Sequence, residues 1–221
     1  MLSDREIIST LDMVRSEHLD VRTVTLGVSL FDCVSHDLDL YIGNMRAKLR
    51  KYASNLVSVC NEVGDKYGIP VVNKRISVSP IAVVGGPFGP DGMVRICQAL
   101  DEAAQEAGVD FLGGFSALVE KGFAHGDKAL IEAIPEALAT TERVCSSINI
   151  ASSRAGINMD AAALMGRQIL ETARATEAAL AAPSSWSSAI SLRMSPSWQA
   201  PTSASANRTA SSTWACPAPE L

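Results

Sequence analysis

Hydrophobic positions along the chain change their spacing repeatedly between residues 1 and 177. Short segments rich in Val and Ile alternate with longer segments whose apolar residues recur every three or four positions. The first pattern is typical of β-strands and the second of amphipathic helices. Together they predict strands over residues 21–30, 71–79, 109–115 and 144–150, and helices over residues 3–17, 37–68, 91–107, 127–139 and 158–177. This repeated alternation predicts an α/β protein whose parallel strands are joined by crossover helices.

Local signals mark the ends of several of these helices. The sequence S-D-R-E from Ser3 to Glu6 is a capping box that opens the first helix. Gly68 is placed to end the helix over residues 37–68 in a left-handed conformation, and Pro70 prevents its continuation. Asp127 is predicted to be the N-cap of the helix over residues 127–139.

The predicted strands are apolar on one face and polar on the other. Polar or small side chains fill one face of the second and fourth strands: Asn73, Arg75, Ser77 and Ser79, then Cys145, Ser147 and Asn149. A sheet with helices on both faces favours near-continuous apolar strands instead. The alternation therefore favours a barrel with a polar lumen. A half-solvated sheet would alternate in the same way, but parallel sheets rarely leave one face to water.

The chain changes composition near residue 178, which divides it into a partial barrel domain (1–177) and a tail (178–221). All 15 glycines precede that position and all three tryptophans follow it, in a segment dominated by Ala, Ser and Pro. This bias is typical of a disordered tail, although disordered segments are usually poor in aromatic residues. Codons that could encode the tail, when translated in another reading frame, also give a sequence with an apolar strand and glycine turns. We therefore expect an out-of-frame, disordered segment, with a genuine low-complexity tail as the alternative.

Composition and charge narrow the classes of function. A net charge of −5 and an isoelectric point near 5.2 argue against a nucleic-acid partner. No apolar run is long enough to span a membrane, and no signal peptide is recognisable. The five cysteines form no CxxC pair, which predicts reduced thiols in a cytoplasmic protein. His18, His36 and His125 lack metal-ligand spacing, so we expect neither a metal nor another cofactor.

Five segments across residues 5–177 resemble one family throughout. They are ExLDVRTVTLGVSLFDC, YGIPVVNKRISVSPIA, GVDFLGGFSALVEKG, IPEALATTERVCSSINIASSRAGINMDA and MGRQILETA. On these segments the chain is similar to the uncharacterised bacterial and archaeal "PFL family" proteins. The resemblance implies about half of a ten-stranded α/β barrel like those of pyruvate formate-lyase and ribonucleotide reductase, hence a truncated chain. Those enzymes run radical chemistry from a barrel cysteine, but this sequence contains no glycyl-radical motif.

Two cysteines are candidate catalytic residues. Cys33 directly follows the first predicted strand, and Cys145 lies on the polar face of the fourth strand beside Ser147 and Asn149. A cysteine is most often a small buried apolar residue. The alternative is that Cys145, together with Cys33, acts as a nucleophile or radical relay at the lumen.

Other residues are candidates for substrate binding. Lys74 and Arg75 lie within a strand, where they either form salt bridges in the barrel wall or, for Arg75 with Asn73, bind a carboxylate or phosphate. Three further groups are candidates, and each also has a purely structural explanation. Gly113, Gly114 and Ser116 lie in a turn predicted to end the third strand, and Ser147 and Asn149 lie on the polar face. Asn158 and Asp160 lie at the start of the last helix.

These residues support three interpretations of function. The first is an enzyme that acts on a small anionic metabolite in the barrel lumen. The second is a metabolite-sensing regulatory protein with an ACT-domain partner, which the gene neighbours of the resembled family imply. The third is a truncated product without function. A homo-oligomer is compatible with the first two.

Overall fold

Four parallel strands form the centre of the structure, a computed structural model that describes residues 8, 21–152, 154–175 and 210–215. In chain order its elements are β1 (Val21–Val28), a 3-10 turn (Phe31–Cys33), α1 (Leu38–Ala53), α2 (Leu56–Tyr67), β2 (Val71–Val78), α3 (Ile81–Val84), α4 (Pro90–Ala107), β3 (Phe111–Leu118), α5 (His125–Ala139), β4 (Val144–Asn149), β5 (Ala151–Ser152), β6 (Gly156–Ile157), α6 (Met159–Ala175) and β7 (Ala210–Ala215). The predicted α/β class is confirmed.

The strands follow one another in the sheet as they do along the chain. The order is β4-β3-β2-β1, all parallel, with β7 added antiparallel to β1, while β5 and β6 form a separate hairpin. Helix α1 packs on α4, α4 on α5 and α5 on α6, in the same order as the strands. Because crossovers between parallel strands have one hand, this succession builds a single helix layer on one face of the sheet.

The apolar face that the sequence predicted is the face that meets this helix layer. Its buried side chains come from all four strands: Val24, Val28, Ile76, Val78, Leu112, Phe115, Val144 and Ile148. Each buried aliphatic or aromatic side chain of this kind contributes about 1.5–3 kcal/mol to folding. The helix side of the sheet therefore carries the hydrophobic core.

The predicted turn at Gly113 and Gly114 is wrong, because these residues form a bulge within β3. The pairing shifts there, so that Gly113 is opposite Cys145 while Phe115 is opposite Ser146. Gly114 has a φ of 123°, in the region that favours glycine. The strand continues through these residues to Leu118, because the extra residue is absorbed by the bulge rather than by a reversal of the chain.

This bulge also decides which side chains of β3 face the helices. One extra residue reverses the alternation along a strand. As a result both Leu112, before the bulge, and Phe115, after it, lie in the core, and Ser116 lies with Gly113 on the polar face. A Cβ at Gly114 would clash with Cγ2 and the carbonyl oxygen of Val78, so this position strongly favours glycine.

Two predicted helix boundaries are also wrong. The helix expected over residues 37–68 is divided into α1 and α2 at Ser54 and Asn55, since Asn55 leaves the helical region with φ −105° and ψ 1°. Ser and Asn compete with helical hydrogen bonds through their own side chains. The end at Gly68 is confirmed, with a left-handed φ of 67°. Asp127 is not an N-cap: α5 begins at His125, and Asp127 Oδ2 accepts a hydrogen bond from the Ala124 amide at 2.7 Å.

Some predictions concern residues that the structure does not describe. The helix over residues 3–17 lies outside the described residues except for Ile8, which is helical. The tail over residues 178–221 also lies outside them except for β7. Within the described ranges, no helix is both long and apolar enough to cross a membrane.

Candidate functional site

The face of the sheet opposite the helix layer carries polar side chains in rows, and we call it the polar face. The strand register defines three rows, which are Thr25, Arg75 and Phe111, then Gly27, Ser77, Gly113 and Cys145, then Ser116 and Ser147. Adjacent strands lie about 4.8 Å apart, so side chains within a row are close neighbours. The middle row contains two glycines, which carry no side chain in the row next to Arg75 and Phe111.

Arg75 and Thr25 both present hydrogen-bonding atoms that are buried and unpaired in the described structure. These atoms are Nε of Arg75 and Oγ1 of Thr25, and the Thr25 residue is only 2% exposed. The Arg75 guanidinium carbon lies 5.1 Å from the centre of the Phe111 ring, within the range of a cation–π contact. Leaving a buried polar group unpaired costs about 1–3 kcal/mol. These two adjacent groups are therefore suited to a hydrogen-bonding ligand.

Cys145 is half-buried at the end of the middle row. Burial raises the pKa of its thiol, and the positive charge of Arg75 opposes that rise. The thiol is therefore protonated at neutral pH, and Arg75 is close enough to favour the thiolate electrostatically. Of the sequence candidates, the structure brings Asn73, Arg75, Gly113, Ser116, Cys145 and Ser147 onto the same face.

Asn149 lies at the carboxyl end of β4 and bonds to a residue that the sequence analysis missed. Its Nδ2 donates to Glu120 Oε2 at 2.6 Å, while its Oδ1 is buried without a partner in the described structure. Glu120 follows β3 almost directly, and the carboxyl ends of parallel strands are where α/β proteins place ligands. Its position just after a parallel strand is the sequence feature from which Glu120 could have been identified.

Asn158 has the structural role of a helix cap. Its Oδ1 accepts a hydrogen bond from the Ala161 amide at 3.2 Å, and its Nδ2 donates to the Val119 carbonyl at 2.7 Å. Both ends of the side chain are thus engaged within the fold. Asp160 lies exposed in the first turn of α6.

Cys33 lies in the core, separated from Cys145. It is 4% exposed at the end of the 3-10 turn, with its Sγ 3.8 Å from Asp32 Oδ1. Asp32 in turn forms an ion pair with Lys48. Burial and the Asp32 charge raise the pKa of the Cys33 thiol. Strands β2 and β3 lie between the elements that carry the two cysteines, so the structure does not join them in one site.

Acidic, cysteine and histidine side chains do not converge elsewhere in the described ranges. No group of three of them there could hold a metal ion. Ser116 Oγ donates to the Gly114 carbonyl at 3.3 Å, across the bulge. Arg75, Thr25 and Cys145 are therefore the centre of the candidate site.

The fold and the site together define an α/β protein with a parallel sheet, one helix layer and one polar face. The chain belongs to the family described as "Uncharacterised ACR (DUF711)", whose model matches residues 12–190. It is 82% identical over 176 residues to a "UPF0210 protein" of Desulfovibrio desulfuricans, covering 80% of this chain and 38% of that protein. The same name is given to relatives from Oleidesulfovibrio alaskensis, 68% identical over 80% of this chain and 39% of the relative, and Methanosarcina mazei, 53% identical over the same shares.

These matches confirm that the chain belongs to an uncharacterised family, while the specific likeness to pyruvate formate-lyase barrels stays a prediction. The chain spans 38–39% of the length of these curated relatives. The polar face described above therefore belongs to a minor part of the longer family proteins.

Proposed function

We propose that the polar face binds a small anionic metabolite through a carboxylate or phosphate group, with Arg75 as the anchor. The observation that carries this proposal is the buried, unpaired Nε of Arg75 beside the buried, unpaired hydroxyl of Thr25. A guanidinium group offers several N–H donors in a planar fork that matches both kinds of anion. A hydroxyl can add one further donor to the same oxygen atoms.

The surroundings of Arg75 support a preformed site. The cation–π contact with Phe111 helps to hold the guanidinium in place, which lowers the entropy lost when an anion binds. Gly27 and Gly113 in the adjacent row place no side chain beside the guanidinium. None of the ion pairs among the described residues includes Arg75, so its charge is available to a ligand.

Cys145 is the group that would make this binding protein an enzyme. It lies one row from Arg75 on the same face of the sheet, so an anion held by Arg75 would lie on the side of the sheet that carries the thiol. A cysteine nucleophile must ionise, and the Arg75 charge favours the thiolate. We assign Cys145 the role of nucleophile and Arg75 the role of substrate anchor. Binding without turnover would instead favour the regulatory function with an ACT-domain partner.

A barrel is the architecture that this proposal assumes for the longer family proteins. Sequential parallel strands, helices in one layer and polar side chains on the other face all support a sheet that closes around a polar lumen. In such a barrel Arg75 and Cys145 would line the lumen.

Calorimetric titration with phosphate, acetate and succinate tests the anchor. We expect at least one of these anions to bind, and Arg75→Met to weaken that binding about tenfold or more, since a hydrogen bond to a charged group contributes about 1.5–3 kcal/mol. The matched control is Arg167→Met, which removes an exposed arginine of α6. Absence of binding, or equal loss in both variants, would overturn the proposal.

A second experiment tests the role of Cys145. Extracts of metabolites are incubated with the protein and with its Cys145→Ser variant. Consumption of an anionic metabolite by the unaltered protein alone supports catalysis. Equal consumption by both proteins removes Cys145 from the mechanism without affecting the role of Arg75.

A further inference from the structure

The carboxyl ends of β3 and β4 carry a second pair of polar side chains, away from Arg75. Glu120 lies two residues beyond the end of β3, and Asn149 is the last residue of β4. The Nδ2 atom of Asn149 donates a hydrogen bond to Oε2 of Glu120 at 2.6 Å. We call these two residues the carboxyl-end pair.

The hydrogen bond within the carboxyl-end pair fixes which atom of Asn149 is left free. An ionised carboxylate can only accept hydrogen bonds, so the amide must present Nδ2 to Glu120. The other atom of the amide, Oδ1, is an acceptor, and it is buried without a donor in the described structure. Because an unpaired buried acceptor is costly, a ligand that supplies a donor at this point gains binding free energy.

Glu120 supplies a negative charge beside this free acceptor. It takes part in none of the ion pairs among the described residues, and it is only partly exposed. A carboxylate and an amide oxygen together match a donor that carries positive charge, because charge-assisted hydrogen bonds are stronger than neutral ones. The chemistry of the pair therefore selects a cation.

Hydrogen bonds of the fold hold the carboxyl-end pair in place. The Val119 amide donates to the Asn149 carbonyl at 2.9 Å, and Nδ2 of Asn158 donates to the Val119 carbonyl at 2.7 Å. The Asn158 amide donates in turn to the Ile150 carbonyl at 2.9 Å. The backbone next to both members of the pair is thus fixed, which lowers the conformational entropy lost when a ligand binds.

Exposed apolar side chains lie beside the pair. Leu118 is exposed and is opposite Asn149 in the strand register, and paired residues of neighbouring strands present their side chains on the same face. Ile157 and Met159, which flank Asn158 in the chain, are also exposed. Ligand sites typically combine apolar surface with a few placed polar groups. A cation that carries an aliphatic group therefore matches this end of the sheet better than a small inorganic ion.

We propose that the carboxyl-end pair binds the ammonium group of a primary aliphatic amine. The ammonium donates one hydrogen bond to Oδ1 of Asn149 and one to the carboxylate of Glu120, while the aliphatic chain contacts Leu118. A divalent metal ion is a poorer match, because no three Asp, Glu, His or Cys side chains converge in the described ranges. In this role Asn149 serves a cation, whereas the sequence suggested that it binds an anionic metabolite.

The amine site is separate from the proposed anion site. Arg75 lies one row before Cys145, and Asn149 lies two rows beyond Cys145 on the same strand. Successive rows are two residues apart and a strand rises about 3.3 Å per residue, so Arg75 and Asn149 lie roughly 20 Å apart along the strands. A small metabolite is too short to span that distance, so each site has its own ligand.

Calorimetric titration of the full chain with isobutylamine at pH 7 tests the proposal, with isobutanol as the uncharged ligand of the same shape. We expect isobutylamine to bind, isobutanol not to bind measurably, and Glu120→Gln to weaken amine binding about tenfold or more. Glu132→Gln, at an exposed position of α5, is the matched control and should leave amine binding unchanged. Absence of amine binding, or equal loss in both variants, would overturn the proposal.

A second pair of substitutions tests the contact with the aliphatic chain. Leu118→Ala should weaken isobutylamine binding about threefold, because it removes apolar surface that the ligand covers. Leu40→Ala, at an exposed position of α1, should leave the binding unchanged. Equal binding by the two variants would overturn the assigned contact.

Two further titrations separate this proposal from its alternatives. Arg75→Met should leave isobutylamine binding unchanged while it weakens anion binding, so the amine site and the anion site can fail independently. Calcium chloride is titrated at the same ionic strength. Calcium binding that is tighter than isobutylamine binding and is lost in Glu120→Gln would show a metal site and contradict the amine.

Discussion

The two faces of the central sheet use their side chains in opposite ways. The helix face is mainly apolar and buried, from Val28 on β1 to Ile148 on β4, with Ser146 as a buried polar exception. The polar face includes Thr25 and Arg75, whose buried polar atoms lack partners in the described structure. Apolar burial stabilises the folded state, whereas an unpaired buried polar group lowers stability. The helix face therefore stabilises the protein, and the polar face carries the groups of the proposed anion site.

The largest expected effect tests the helix face. Phe115 is fully buried against the helices, so Phe115→Ala should lower the free energy of unfolding by about 3–5 kcal/mol. Urea denaturation followed by circular dichroism measures the change. Val59→Ala, at an exposed position of α2, is the control and should change the free energy by about 0.5 kcal/mol or less. A similar loss in both variants would contradict the burial of Phe115.

The second test concerns the bulge at Gly114, which keeps apolar side chains on the helix face along the whole of β3. Gly114→Ala should cost about 3 kcal/mol, since the residue has a positive φ and its Cβ would clash with Val78. Gly166→Ala in α6 is the matched control, where a Cβ meets nothing within 4 Å. That control should stabilise the protein by about 0.5–1 kcal/mol. Thermal unfolding of both variants decides the point, and a tolerated Gly114→Ala would exclude the bulge.

On the polar face, an apolar substitution should raise the stability of the protein instead of lowering it. Thr25→Val replaces a buried, unpaired hydroxyl by a methyl group and should stabilise the protein by about 1 kcal/mol. The same change should weaken anion binding, because it removes a donor beside Arg75. Urea denaturation and calorimetric titration measure the two effects. A loss of stability would show that the Thr25 hydroxyl already has a partner in the free protein.

The smallest expected effect concerns the pH dependence of Cys145. Burial places the pKa of its thiol above the usual range, so iodoacetamide alkylation should be slow at pH 7 and accelerate as the pH rises through that pKa. Arg75→Met removes the charge that lowers the pKa, so the thiolate fraction and the alkylation rate at a given pH should fall. Peptide mass spectrometry follows Cys145 separately from the other cysteines. Arg167→Met should leave the alkylation rate unchanged. If Arg75→Met reacts as fast as the unaltered protein, the Arg75 charge does not act on the Cys145 thiol.

Much of the architecture could be predicted from local patterns. Four parallel strands, their connecting helices and the left-handed end at Gly68 all follow from alternation, helical periodicity and glycine placement. The break at Asn55 and the start of α5 before Asp127 could not be located, because residues next to a helix end satisfy more than one capping arrangement.

The candidate site was only partly predictable. Alternation along β2 and β4 placed Arg75 and Cys145 on polar faces, but it did not relate one strand to another. Cys33 and Cys145 both looked accessible to a lumen, and only the strand order separated them. Glu120 was missed because a single acidic residue after a strand has no distinctive pattern.

The sequence by itself determined the α/β class of this protein and the alternation of its strands, and it supplied the residues that we propose bind an anion. These properties depend on near neighbours along the chain, where spacing of two or three to four residues decides which side chains share a face. Only the tertiary structure decided that Thr25, Arg75 and Phe111 form one row, that Gly114 bulges and that β4 has an uncovered edge in the described structure. Those features depend on the register between strands distant in sequence, which is set by packing of the whole sheet against its helices.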